Sequence, residues 1–131
     1  MKSLKEKVIR IINEKQMYSL MNNTKWRELQ SAVKTLQFPP PYQIKYVHMD
    51  TLYPETFDNI PWYYGDWSNE AITPFYSIEW IRVQPVCRYH QGQLIDDGII
   101  DETNEFLSIL NKYSIPYEEL NGTYFIYGYK R

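Results

Sequence analysis

The chain has 131 residues and a mass of 15.9 kDa, enough for one domain that buries roughly two thirds of its unfolded surface. Fourteen Lys and Arg against sixteen Asp and Glu leave a net charge of −2, which excludes a basic protein that coats phosphate backbones and is too mild for an acidic mimic. A single cysteine excludes an internal disulfide framework, and only the aromatics stand out, with 13 Tyr, 5 Phe and 4 Trp.

Ser3-Leu4-Lys5-Glu6 reads as a capping box, and Leu4, Val8, Ile11 and Ile12 recur at helical spacing, which predicts a helix to about Lys15. Charges at Lys5, Lys7 and Arg10 interrupt any apolar leader, and no apolar run approaches the roughly 20 residues that span a bilayer. A cytoplasmic address, with no membrane contact, is the expectation. Asn22-Asn23-Thr24 caps a second helix with Trp26, Leu29, Val33 and Leu36 on one stripe, and Phe38-Pro39-Pro40-Pro41 ends it.

From Tyr42 the period becomes two. A strand is expected over Gln43–Met49, a loop over Asp50–Pro61, and extended segments over Trp62–Tyr64 and Phe75–Val83. Arg88–Gly98 is a long turn or a short hairpin. Asp101 or Thr103 caps a third helix carrying Phe106, Leu107, Leu110 and Tyr113. Asn121-Gly122 then supplies both positive-φ positions of a type I′ turn, pairing Leu120 with Thr123 and placing Phe125 and Tyr127 on one face. The sum is an α+β domain: two N-terminal helices, a mainly antiparallel sheet of about five strands, one further helix and a C-terminal hairpin. Residues 1–21 read as an N-terminal helical extension and 22–131 as the single domain.

Catalytic signatures fail. No GxSxG, HExxH, P-loop, GxGxxG or CxxC is present, and no cofactor or metal is expected. Cys87 and His90 form a CxxH pair without a second pair, best read as a small semi-buried thiol and a loop histidine. Asp96-Asp97 before Gly98 lack calcium-loop spacing and suit a turn leading to a helix. Glu79 lies mid-strand among aromatics, on a face that alternation leaves undecided.

Trp62-Tyr63-Tyr64-Gly65-Asp66-Trp67 is the informative segment, because Tyr and Trp carry much of the binding energy at protein interfaces. Trp62, following Pro61 and alternating with Tyr64, is expected in the core. Trp67, after the Gly65-Asp66 break, is expected partly exposed. Interface candidates are therefore Trp62, Tyr63, Tyr64, Asp66 and Trp67, with Asp96 and Asp97 as rim charges.

The ordered set Asn23-Thr24-Lys25-Trp26, Ser77-Ile78-Glu79-Trp80-Ile81, Ile115-Pro116-Tyr117-Glu118 and Phe125-Ile126-Tyr127-Gly128-Tyr129 resembles a family of small bacterial proteins of unknown function, over residues 22–131. The resemblance carries no activity. Proteins of this size and style recur as immunity proteins beside bacterial toxins, which makes a toxin or another protein the expected partner, with no nucleic acid. The leading expectation is a non-enzymatic module that occludes a toxin's active site. One alternative is a small enzyme or ligand-binding protein with a pocket between the sheet and the third helix, near Glu79, His90, Asp96, Asp97 and Cys87. The other is a homo-oligomeric module, such as a homodimer exchanging its first helix.

Overall fold

A computed structural model describes residues 3–57 and 60–131. Helix α1 (Leu4–Glu14) starts where the capping box places it, with the Ser3 hydroxyl accepting the Glu6 N–H at 3.2 Å. Strand β1 (Tyr18–Ser19) and helix α2 (Asn23–Val33) follow, and the Asn22 side chain accepts the Lys25 N–H at 2.8 Å. The helix stops at Val33 rather than at the prolines. Thr35 and Leu36 bond back only to Ala32 and Val33, and their turn leads into the Pro39–Pro41 run.

Strand β2 (Tyr42–Tyr46), a short helix α3 (Asn69–Ile72), a 3-10 turn at Phe75–Ser77 and strand β3 (Ile78–Val83) come next. Phe75 thus begins in a turn rather than in the expected strand, because Pro74 opens that turn and the Ser77 N–H closes it on the Pro74 carbonyl. Strands β4 (Val86–Tyr89) and β5 (Gly98–Asp101) form a hairpin, and helix α4 (Thr103–Lys112) leads to β6 (Glu118–Leu120), β7 (Thr123–Tyr127) and β8 (Tyr129–Lys130). At the start of α4, Glu102 takes the cap position and Asp101 accepts the Thr103 N–H.

The strands form an antiparallel four-stranded sheet in the order β2-β3-β7-β6 and two two-stranded pairs, β1-β8 and β4-β5, where about five strands in one sheet were expected. The β6-β7 turn matches its sequence signature. Asn121 and Gly122 have φ of 51° and 77°, Leu120 pairs with Thr123, and the Phe125 and Tyr127 rings stack at 5.8 Å. Tyr18 and Ser19 pair with Lys130 and Tyr129, and α1 packs on the 3-10 turn with Val8 fully buried, so the N-terminal segment is hydrogen-bonded to the C-terminal strand.

Alternation explains the core. Ile44, Ile81, Val83, Tyr124 and Ile126 share the inner face of the sheet, against Trp26, Leu29 and Val33 of α2 and Phe106 and Leu110 of α4. Phe106 and Leu110 are both fully buried in the core cluster they share with the inner face of the sheet. Glu102 ties the layers together. The residue is 6% exposed, and its carboxylate accepts the backbone N–H groups of Gln37 and Phe38 at 3.2 and 3.1 Å. Both edges of the sheet are blunted: β2 by a two-bond bridge from Ile44 to Tyr53, and β6 by Glu118 and Glu119.

Candidate functional site: a tyrosine groove and its aromatic rim

The segment after Pro61 forms no strand. Two bonds pin it to the proline run: the Gly65 N–H donates to the Pro39 carbonyl at 3.0 Å, and the Trp67 indole N–H donates to the Pro40 carbonyl at 2.8 Å. Trp67 is consequently 3% exposed and belongs to the core, against the expectation that it would face solvent. The opposite correction applies to Trp62, which is 53% exposed rather than buried. Alternation misplaced Trp62 by assuming an extended strand, and the Gly65-Asp66 break misplaced Trp67 by suggesting a turn into solvent, where the Pro39 and Pro40 carbonyls instead hold the segment against the core.

Tyr63 and Tyr64 are 49% and 59% exposed, so three consecutive large aromatics face solvent. Each is braced from one side. The Arg88 guanidinium lies 5.3 Å from the Trp62 ring centre, Tyr64 stacks on Phe38 at 5.5 Å, and the Tyr63 carbonyl faces the buried Cys87 thiol at 3.8 Å. Arg88 also holds the segment through its backbone N–H to Pro61 and its Nε to Ile60.

Beside this rim lies a groove of about 600 Å³ at the β2 end of the sheet. Tyr42, Tyr46, Tyr53, Tyr63 and Tyr64 line it, with Asp66 as its one charged side chain. Two of the rings are fixed by their hydroxyls, Tyr42 donating to the Asp66 carbonyl and Tyr46 to the Ala71 carbonyl at 3.3 Å. Burial and the nearby Asp66 push the Tyr42 hydroxyl far above its ordinary pKa, so it stays a donor. The Asp66 carboxyl is held below its ordinary value by hydrogen bonds from Ser68, with Lys34 adding to this, so it stays an anion. The sequence reading missed Tyr42, Tyr46 and Tyr53. The signal was present in the two-residue spacing of Tyr42, Ile44 and Tyr46, which puts both tyrosines on one face.

The remaining candidates lie elsewhere. Asp96 and Asp97 sit in the loop of the β4-β5 hairpin, where Asp97 faces His90 at 3.7 Å. Leu94 is fully exposed at that tip, with Ile95 and Ile99 also exposed nearby. Glu79 is not with them. It pairs with Lys45 at 3.0 Å across β2 and β3, where a register shift between Lys45 and Tyr46 leaves it opposite no residue. Cys87 is buried, and burial raises its thiol pKa, which disfavours the thiolate. Among the described residues, no group of three or more His, Cys, Asp or Glu is placed to hold a metal ion, and no helix is long and apolar enough to cross a membrane.

A family model described as a family of unknown function, DUF6678, matches residues 8–131, and the chain belongs to that family. The match begins within α1, upstream of the stretch that carried the resemblance. No curated protein and no solved structure matches the chain.

Proposed function

We propose that this chain is a non-enzymatic protein-binding module whose contact surface is the Trp62-Tyr63-Tyr64 rim and the groove beside it. The observation that carries the reading is the run of three exposed aromatics, since a soluble domain gains nothing from keeping Trp62, Tyr63 and Tyr64 in water unless they are covered by something else. Tyr and Trp bring large contact area with few rotatable bonds, and their polar ends tolerate solvent while the partner is absent. The rim is also rigid, because Gly65 and Trp67 anchor its end to the proline run and Arg88 anchors its start. A pre-formed surface loses little entropy on docking. The apolar hairpin tip at Leu94 and Ile95, flanked by Asp96 and Asp97, offers a second contact of the same style, with acidic groups to read a basic partner.

The specific form of the proposal is a bacterial immunity protein acting in the cytoplasm, which neutralises a toxin by covering its active site. The test is co-expression with the toxic product of a neighbouring gene. Wild type should restore growth, and the Trp62→Ala, Tyr64→Ala double variant, folded by thermal melt, should not. Growth that is restored equally by both would remove the rim from the mechanism, and growth restored by neither would remove the immunity reading.

A further inference from the structure

The tyrosine groove has a chemistry of its own, narrower than that of the rim. Five phenol rings line it, and an aromatic face is electrostatically negative. Asp66 is the one charged group among the lining residues; Lys34, outside the lining, is near enough to help keep its carboxyl ionised, but among the described residues no lysine or arginine lies within ion-pair distance of it. An anion entering the groove would meet that carboxylate, and a purely apolar group would make no hydrogen bond to it. A cation is favoured by both the rings and the acid.

The geometry points to an arginine side chain of a partner protein as the occupant of this groove, its planar guanidinium stacked on the tyrosines and its N–H groups donating to the Asp66 carboxylate. This rests on the binding-module reading and adds the chemical identity of the anchor. Arginine fits better than a quaternary ammonium group, because a guanidinium carries donors for the carboxylate and a quaternary nitrogen has none. The protein already uses the same contact internally: Arg82 lies between Phe57 and Phe125 at 5.9 and 5.3 Å, and Arg88 stands over Trp62. The receptor is pre-organised. Tyr42 is fixed by its hydroxyl and by an edge-on contact to Trp67 at 4.9 Å, and Tyr46 by its bond to Ala71 and its packing against Tyr53 at 6.1 Å. The arginine stem would lie along Ile44, also in the groove lining.

The test is an NMR titration of the full chain with a capped glycine–arginine–glycine peptide, its citrulline counterpart and choline. The arginine peptide should give saturable shifts at the groove tyrosines, with a Kd on the order of 1 mM. Citrulline, of the same shape without the charge, should bind at least about tenfold more weakly. Asp66→Asn, which keeps the acceptor for Ser68, should weaken the arginine peptide by about tenfold while leaving the fold intact by thermal melt. Tyr46→Phe serves as a second variant that keeps the ring and should retain binding. Absence of saturable shifts, equal binding of arginine and citrulline, or binding of choline alone would each overturn the assignment. Failure here is distinguishable from failure of the binding-module reading, because loss of growth rescue in a Trp62→Ala single variant, whose side chain lies outside the groove lining, does not depend on any cation entering the groove.

Discussion

Trp67 donates its indole N–H to the Pro40 carbonyl at 2.8 Å across a separation of 27 residues. That bond decides which aromatics of the segment are structural and which are free. It draws Trp67 into the core beside Tyr42 and leaves Trp62, Tyr63 and Tyr64 outside. Trp67→Ala should therefore destabilise the fold by about 3–5 kcal/mol, through lost burial and the cavity left behind. Trp62→Ala should cost no more than about 1 kcal/mol, the scale of an exposed cation–π contact with Arg88. Urea denaturation of the two single variants compares them directly, and equal losses would contradict the division.

Gly65 tests the same contact from the backbone. A Cβ there would lie 2.0 Å from the Pro40 carbonyl oxygen and 3.0 Å from the Trp67 indole nitrogen. Gly65→Ala must push the two segments apart, so it should lower stability by about 1–3 kcal/mol and expose Trp67 to collisional quenchers. Unchanged tryptophan fluorescence and an unchanged midpoint would contradict the close approach.

Gly122 isolates backbone strain from packing. Its φ is 77° and nothing lies within 4 Å of where a Cβ would sit. Gly122→Ala should cost on the order of 1 kcal/mol with no structural change elsewhere, since the whole penalty is the left-handed backbone. Thermal melts with an unshifted midpoint would count against the turn type.

His48 gives the pH dependence a direction. Its Nδ1 is buried without a hydrogen-bond partner among the described residues, and burial, Lys7 and Lys45 lower its pKa below the ordinary 6.5. Between the lowered value and 6.5 the unfolded chain binds more protons, so stability falls as pH drops through 6.5 and is regained as pH rises. Glu102 works in the opposite sense and nearer 4.5, because burial raises its pKa. Subtracting a His48→Gln variant removes that contribution. Wild type should lose more of its melting midpoint than the variant between about pH 8 and about pH 5.5. Parallel curves would show that His48 is neutral to the fold.

Local chemistry made much of the fold legible. Ser3, Asn22 and Asn121-Gly122 act through groups within three residues, and they stand where their types demand. The stripes Trp26-Leu29-Val33 and Phe106-Leu110 needed only the helical period to declare themselves core. What stayed hidden depends on distant partners. Nothing near Trp67 announces Pro40, and nothing near Glu102 announces the Gln37 and Phe38 N–H groups it caps. The groove was hidden for the same reason. Tyr42, Tyr53 and Tyr64 come from three separate stretches that meet only after the β2 edge is covered.

A photo-crosslinking amino acid placed at position 64, in cells that carry the chain, tests the binding surface most directly, with the same group at Lys5 on α1 as the control. If the exposed rim is the contact surface, irradiation should give a discrete adduct with a second protein from position 64 and none from position 5. No adduct from position 64 above that from position 5 would contradict it, and an adduct containing only a second copy of this chain would replace the toxin partner with a homodimer.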